Sequence, residues 1–388
     1  MTDVVIVSAV RSAVARGKGD GALAGVHPVD LSAAVMQGAL TRAGVDPATV
    51  EDVQWGCAMP EAAQGLNHAR LAWLRAGLPV TTSAATINRF CSSGLQAVAY
   101  GAQAVMSGMG DAILCGGIEM MSQVPMAGYH TRLSPELTAQ MIGMGFTAER
   151  VATRWGIGRE AQDAFAADSH RKAAAALAAG VFAPEIVPIP VSRDRWEGGK
   201  RTTTTTDFAV DECPRPDTTA AGLAKLRPAF SAKGTVTAGN ASPYSDGAAA
   251  LLVMSAERAK AEGLTPLARF VSFATGGVEP DIMGVGPIVA VPKALKRAGL
   301  TLADIRLIEF NEAFAAQALA VMQELGFDPA VVNVNGGAIA LGHPLGATGA
   351  KLTTQLIHEL RRRGGGYGMV TMCIGGGMGA AGIFEVYA

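Results

Sequence analysis

The chain has 388 residues and a formal net charge of −1, with 49% hydrophobic and only 17% charged residues. This length predicts two or three domains with a large core, and the charge gives no electrostatic footprint for nucleic acid or an anionic membrane. Gly, Pro or a charge interrupts every apolar run before transmembrane length, and no signal peptide is visible. Five cysteines form neither a C-x-x-C pair nor a zinc spacing, which predicts a metal-free protein in the reducing cytoplasm.

In chain order, strands alternate with amphipathic helices through the first third of the sequence. The pattern predicts a strand over 4–10, a helix over 29–43, a strand over 50–57 and an extended segment over 81–87. Apolar residues at helical spacing follow from Leu95 to Met106, and then comes a strand over 112–115 that ends at two glycines. This alternation predicts a mostly parallel α/β sheet.

Cys91 stands between the extended segment and the helix that follows it. A strand-to-helix turn there would place the cysteine at a helix N-terminus. Unpaired backbone N–H groups and the positive end of the helix dipole lower a thiol's pKa, which makes a nucleophile. Taken alone, the stretch fits a small buried core cysteine equally well.

The residue pattern changes between about residues 120 and 243, and this change predicts an inserted domain. Prolines and charges punctuate a run of helices, and methionines cluster at Met120, Met121, Met126, Met141 and Met144. An exposed turn is expected at 198–201, before a polar edge strand of five threonines at 202–206. A core strand resumes over 248–254.

The second part of the chain repeats the first. Residues 39–48 align with residues 294–303, an offset of 255, which also places Cys91 opposite Gly346 and Asn88 opposite His343. The predicted domains are therefore a first half, a second half and the insertion, comprising residues 1–119 with 244–267, 268–388, and 120–243. Matching loops of two such halves are expected to face one another across a shared site.

Four stretches together resemble the thiolase family: N-R-F-C-S-S-G at 88–94, N-E-A-F-A at 311–315, G-G-A-I-A-L-G-H-P-L-G at 336–346 and C-I-G-G-G-M-G at 373–379. The resemblance covers essentially the whole chain. It implies two duplicated βαβαβαββ halves packed as an αβαβα five-layer sandwich, with an inserted loop domain. It also implies an acyltransferase that uses coenzyme A and acyl-CoA as substrates and holds no cofactor permanently.

The resemblance assigns roles that suit the chemistry of each residue. Cys91 would attack a thioester carbonyl and hold the acyl group, while His343 takes the thiol proton. A second thiol at Cys373 suits proton transfer at the α-carbon of an acyl thioester. In the family, the N–H groups matching Cys91 and Gly375 form an oxyanion hole. The residues matching His343 and Asn311, the latter through a water, stabilise the enolate.

Further positions follow from the family pattern. Coenzyme A would lie on the insertion, with Arg215 near its nucleotide end, Ser242 near the pantetheine amide and Met144 lining the channel. Glu312 would support the site. The remaining histidines, His27, His68, His130, His170 and His358, are interpreted as structural.

One dinucleotide-like motif is set aside. Residues 377–382 match G-x-G-x-x-G, but a Rossmann unit needs a helix next and an acidic residue about 20 positions further on. Only residues 383–388 remain, and they predict a final strand, so nicotinamide or flavin binding is not expected.

The surroundings of Cys91 and residues 217–230 look closer to degradative 3-ketoacyl-CoA thiolases than to the biosynthetic acetoacetyl-CoA branch, which stays the alternative. Further alternatives are a ketoacyl synthase and a non-catalytic, thiolase-like lipid-binding protein. A short segment between Met121 and Met144 favours a homodimer over a homotetramer. A hydratase–dehydrogenase partner subunit also stays open.

Overall fold

The computed structural model describes residues 2–126, 128–129, 132, 134–138, 142–198 and 200–388. Met141 of the methionine cluster, His130 and Gly199 of the expected turn lie outside the described residues. No helix in these ranges is long and apolar enough to cross a bilayer.

Within these ranges the strands are β1 Val4–Arg11, β2 Ala15–Arg16, β3 Asp52–Cys57, β4 Ser83–Ile87, β5 Ala112–Met120, β6 Ile189–Glu197, β7 Lys200–Phe208, β8 Ser245–Ser255, β9 Ala268–Gly277, β10 Ile305–Phe310, β11 Gly366–Ile374 and β12 Met378–Val386. The helices are α1 Pro28–Ala43, α2 His68–Arg75, α3 Ser93–Met106, α4 Pro135–Thr138, α5 Met144–Trp155, α6 Arg159–Ala178, α7 Ala220–Leu223, α8 Ala256–Ala261, α9 Pro287–Ala298, α10 Ala315–Leu325, α11 Ala338–Leu341 and α12 Leu345–Arg362.

The predicted early elements are confirmed within a few residues. The first helix ends as expected, because Gly44 adopts a left-handed φ of +67° and its N–H caps the carbonyls of Leu40 and Thr41. The strand predicted to stop at Gly116 instead runs on to Met120. A Cβ at Gly116 would strike the Ala249 carbonyl and the Trp55 ring, so that glycine permits close packing rather than a turn.

The expected mostly parallel sheet is wrong, because the sheet is mixed. Its order is β10-β11-β12-β9-β1-β8-β5-β3-β4, with β2 added to β8. The β3–β4, β3–β5 and β10–β11 pairs are parallel, whereas β1–β8, β5–β8, β9–β12 and β11–β12 are antiparallel. Each half ends with a strand that returns antiparallel to its neighbour. A short β1–β9 ladder joins the two half-sheets edge to edge.

The layers confirm the five-layer sandwich. Helices α3 and α12 contact each other between the half-sheets, while α1 and α2 cover the outer face of the first half and α9 covers that of the second. Three apolar clusters fill the spaces between the layers, and the middle one joins α3 and α12 to strands of both halves. The first half follows β-α-β-α-β-α-β-β order through β1, α1, β3, α2, β4, α3, β5 and β8.

The central helices cross at matched glycines. A Cβ on Gly94 would lie 2.7 Å from the backbone nitrogen of Ala350, and one on Gly349 would strike the backbone of Leu95. Since Gly349 and Ala350 are the 255-residue counterparts of Gly94 and Leu95, the contact is reciprocal. The geometry confirms the internal repeat and brings both helix N-termini together.

Residues between β5 and β8 stand outside this repeat. They carry α4 to α7 and a two-stranded antiparallel sheet of β6 and β7, in which the threonines of β7 are exposed. This agrees with the edge strand expected at 202–206. The domain boundaries themselves stay a prediction.

Candidate active site

The turn that carries Cys91 is held by local hydrogen bonds. A 3-10 turn, Phe90–Ser92, connects the end of β4 to α3, so the predicted place of the cysteine at a helix N-terminus is confirmed. Phe90 has a left-handed φ of +43°, which is rare for a bulky residue. Its N–H donates to Asn88 Oδ1 at 2.8 Å, and its carbonyl accepts from Ser93 Oγ at 2.7 Å. The strain is stored beside the reactive residue.

The expected direction of the Cys91 pKa is wrong. The thiol is half-buried, and burial raises its pKa to about 11, although a hydrogen bond from the Gly375 backbone opposes the rise. Loss of hydration outweighs the helix N-terminus. Cys91 is therefore a neutral thiol near pH 7 and needs a base to become a nucleophile.

His343 has the protonation state that such a base requires. Its Nδ1 lies 2.6 Å from Thr348 Oγ1, and that hydroxyl also donates to the Pro344 carbonyl at 3.1 Å. Because a hydroxyl carries a single proton, it accepts from Nδ1–H, which leaves Nε2 as the hydrogen-bond acceptor of the ring. Burial, with a contribution from the charge of Lys351, lowers the His343 pKa to about 3. The backbone N–H of His343 donates to Ser245 Oγ at 3.1 Å.

Asn311 joins this group from the end of β10. Its Nδ2 lies 3.3 Å from His343 Nε2, and its N–H donates to the Thr371 carbonyl at 3.0 Å. The buried Asn311 Oδ1 has no hydrogen-bond partner among the described residues. A buried amide oxygen normally has a partner, so a small polar molecule suits this position.

Cys373 lies close to the end of β11, with Gly375 directly after the strand. The side chain is fully buried, and burial raises its pKa well above the usual range, with a smaller contribution from neighbouring Cys91. The structure therefore brings Cys91 beside Gly375 and Cys373, and Asn311 beside His343. Leu345, two residues after His343, packs in the same apolar cluster as Cys91. Two thiols and a neutral imidazole can together accept and return protons at more than one reacting atom.

Glu312 supports the loop that leads to His343. Its buried carboxylate accepts from Ser169 Oγ at 2.7 Å, from Asn333 Nδ2 at 2.8 Å and from the Ile339 N–H at 3.3 Å. Burial raises its pKa, and these donors oppose the rise. These contacts indicate that Glu312 positions residues 336–342.

Two of the three expected coenzyme A contacts lie beside this group. Met144 opens α5, and its sulfur would lie 3.8 Å from a Cβ placed on Gly375. The Ser242 N–H donates to the Ala313 carbonyl at 3.0 Å. Arg215 is exposed, and its backbone N–H donates to His170 Nδ1 at 3.1 Å.

Two motifs and one missed residue complete the description of the site. In the described ranges no group of three His, Cys, Asp or Glu side chains could hold a metal ion. Residues 378–382 of the G-x-G-x-x-G segment lie within β12, which runs on to Val386, so the final strand predicted after the motif is confirmed. Sequence reasoning missed Thr348, although the repeat places it opposite Ser93, whose hydroxyl braces the Cys91 turn in the same way.

A duplicated five-layer α/β fold with two cysteines and a histidine at the junction of its halves defines the class. Family models agree: the thiolase N-terminal domain matches residues 4–257 and the thiolase C-terminal domain matches residues 264–386. The chain belongs to the thiolase family.

Individual relatives cover the whole chain. A 3-ketoacyl-CoA thiolase of Bacillus subtilis is 55% identical over 100% of both chains, and an acetyl-CoA acetyltransferase of Escherichia coli is 48% identical over 99% of both. The crystal structure of the Bacillus anthracis acetyl-CoA acetyltransferase superimposes with a TM-score of 0.90 at 42% identity. The superposition covers 100% of this chain and 99% of the Bacillus anthracis chain.

Proposed function

We propose that this protein is an acyltransferase that cleaves a 3-ketoacyl-CoA with coenzyme A to acetyl-CoA and a shortened acyl-CoA. The observation that carries the proposal is that Cys91 neighbours a second thiol, Cys373, and that the Cys91 turn contacts α12, which begins two residues after His343. A cysteine hydrolase would leave Cys373 without a role. The reaction is reversible, and its reverse is a Claisen condensation of two acyl-CoAs.

The first half-reaction forms the acyl-enzyme. His343 Nε2 takes the Cys91 proton, and the sulfur attacks the 3-keto carbonyl, whose oxygen gains the negative charge. The Cys91 and Gly375 N–H groups stabilise that oxyanion. A hydrogen bond from the Gly375 backbone to the Cys91 thiol supports this, because the acyl oxygen develops beside that sulfur.

Collapse of the oxyanion breaks the bond between the carbonyl carbon and the α-carbon. The electron pair leaves as the enolate of acetyl-CoA, which His343 and a water on Asn311 stabilise, and Cys373 protonates the α-carbon. His343 then returns its proton to the Cys373 thiolate. The neutral imidazole takes the proton of the coenzyme A thiol as that sulfur attacks acyl-Cys91, and it gives this proton to the Cys91 thiolate that leaves. The Asn311 oxygen that lacks a protein partner supports the place of the water.

The second candidate is acetyl-CoA C-acetyltransferase, which runs the same steps with two acetyl-CoA molecules. Relatives with either name support it, with 55% identity to a 3-ketoacyl-CoA thiolase and 49% to an acetyl-CoA acetyltransferase of Pseudomonas aeruginosa. Thiolysis rates across 3-ketoacyl chain lengths separate the two. Activity restricted to acetoacetyl-CoA would favour the acetyltransferase.

Coenzyme A is a substrate in this proposal and is held through Arg215, Ser242 and Met144, with no permanently bound cofactor. A homodimer, a cytoplasmic location and a hydratase–dehydrogenase partner subunit stay predictions. Sedimentation at several protein concentrations would separate a dimer from a tetramer.

Labelling with radioactive acetyl-CoA tests the central step. Wild-type protein should retain acetyl label after denaturation, and Cys91→Ala should retain none. Cys115→Ala is the matched control, because Cys115 is a buried free thiol within β5. Label that survives in Cys91→Ala would overturn the assignment of the nucleophile.

A further inference from the structure

One buried carboxylate beside the proposed active site has no role in the reaction steps proposed for it. Glu119, near the end of β5, is 1% exposed and accepts five hydrogen bonds. The donors are the N–H groups of Ala58 at 2.9 Å, Met59 at 3.2 Å and Gly346 at 2.9 Å, the Gln64 side chain at 2.8 Å and, over a longer 4.0 Å, the Cys57 thiol. Burial raises the pKa of Glu119, and the hydrogen bonds from the amide groups oppose the rise. Five donors and, among the residues that the structure describes, no ion-paired cation suit an ionised carboxylate, which has only acceptors.

The first pair of donors leads to the nucleophile. Ala58 and Met59 follow β3, and the Ala58 carbonyl accepts from Asn88 Nδ2 at 3.1 Å. The other end of the Asn88 carboxamide accepts the Phe90 N–H, which fixes the strained turn before Cys91. Two residues, Ala58 and Asn88, therefore connect Glu119 to that turn through hydrogen bonds.

The remaining backbone donor leads to the base. Gly346 lies in the first turn of α12, three residues after His343, and it is the repeat counterpart of Cys91. It packs tightly, since a Cβ there would lie 2.7 Å from the Ala58 nitrogen. One carboxylate thus binds the supports of both reacting side chains, one from each half of the chain.

We infer that Glu119 is a positioning residue that sets the separation of Cys91 from His343 across the junction of the halves. The inference rests on the proposed thiolase reaction, in which those two side chains exchange a proton. Two hydrogen-bonded supports meeting on one side chain give a direct link between elements that are otherwise more than 200 residues apart in sequence. The carboxylate charge also lies close enough to raise the pKa of the Cys91 thiol.

Glu119→Gln is the informative variant, because it keeps the shape but replaces one acceptor oxygen with a donor. We expect acyl-enzyme formation from acetyl-CoA to slow about 100-fold, as expected for a displacement of reacting groups by about 1 Å. Loss of the charge should also shift alkylation of Cys91 by iodoacetamide, followed by peptide mass spectrometry, to lower pH. A purely structural role would not move that pH profile.

Glu212→Gln is the matched control. Glu212 also accepts two backbone N–H groups, from Arg16 at 3.0 Å and Ala22 at 3.1 Å, but it contacts none of the proposed catalytic residues. Its acylation rate and alkylation profile should equal those of the wild type.

Glu119→Asp keeps the charge and shortens the reach, so it should slow acylation and leave the alkylation profile in place. It also tests the inference if Glu119→Gln does not fold. Wild-type acylation in either variant would overturn the positioning role. Absence of acyl-enzyme in the wild type would instead overturn the proposed function, while the alkylation comparison still reports on Glu119.

Discussion

His343 Nδ1 donates to the Oγ1 of Thr348 across 2.6 Å, and this contact selects the tautomer of the histidine. The hydroxyl belongs to the first turns of α12, which the histidine precedes. The helix therefore orients the imidazole so that Nε2 lies against Asn311 Nδ2.

Thr348→Val should remove this control with little change in volume. The Nδ1 proton loses its acceptor, so the imidazole can take the wrong tautomer, and the acylation rate should fall about tenfold, equivalent to one hydrogen bond. Thr348→Ser keeps the hydroxyl and should acylate almost as the wild type does. Equal rates for valine and wild type would contradict the assigned tautomer.

Cys373→Ala should separate the two half-reactions. Acyl-enzyme formation from acetyl-CoA should change little, whereas cleavage of 3-ketoacyl-CoA should slow by about 100-fold or more, the usual contribution of a general acid. Stopped-flow measurement of both steps checks this. Cys115→Ala, which alters a buried free thiol within β5, serves as the control.

Arg215→Ala should weaken binding of the nucleotide end of coenzyme A. We expect the KM for coenzyme A to rise several-fold, while the KM for a pantetheine thioester, which lacks that end, stays unchanged. Arg201→Ala, on the exposed β7, should alter neither value. A similar rise with the truncated substrate would show that Arg215 acts elsewhere.

The buried Arg11 should dominate the stability of the contact between β1 and the insertion. Its guanidinium bonds Asp211 at 2.7 and 2.9 Å and Glu185 at 2.6 Å, and this charge helps to hold the Asp211 pKa below its usual range. Arg11→Met leaves two buried carboxylates uncompensated, so urea unfolding should show a loss of about 3–5 kcal/mol. Arg258→Met, which breaks a partly exposed pair with Glu262, should lose less than about 1 kcal/mol.

Acid should unfold the protein through its buried histidines. Burial lowers the pKa of His68 and of His170 to about 4, and that of His343 to about 3. Above the unfolded pKa of about 6.5 these histidines are neutral in both states and do not reduce the free energy of unfolding. As pH falls from there towards the folded pKa, the unfolded state binds protons that the folded state does not, and the free energy of unfolding falls. Three protons correspond to a maximum slope of about 4 kcal/mol per pH unit. His68→Gln should reduce the slope of the free energy of unfolding against pH, measured by urea titrations between pH 6 and 4. An unchanged slope would contradict this expectation.

Sequence reasoning placed the Cys91 turn and the internal repeat correctly, because each has a signature in periodicity or spacing. The five layers followed only from the family resemblance, and the alternation of strands with helices wrongly predicted a mostly parallel sheet. Sequence reasoning misjudged the end of β5 because a glycine required for tight packing looks the same in sequence as one required for a turn. It also gave the Cys91 pKa the wrong direction, since desolvation depends on which distant elements cover the thiol.

Glu119 escaped detection for a related reason. Its donors come from segments about 60 and 230 residues away, and no spacing rule joins such positions. Thr348 was within reach, because the repeat aligns it with Ser93 beside the nucleophile. A hydroxyl at matched positions of two halves is a signal worth testing in other duplicated chains.

The central place of β1 has a consequence for the synthesis of the protein. Val4 pairs with Ser255, and Val5 also pairs with Arg269 of β9, so β1 is translated long before either of its neighbours. At about 5–20 residues per second, the ribosome needs roughly 13–50 s to supply the first of them. During that interval an apolar strand emerges unpaired and open to aggregation. Yield in the cell should therefore depend on chaperones that shield the nascent N-terminus and on growth temperature, more than on the final stability of the fold.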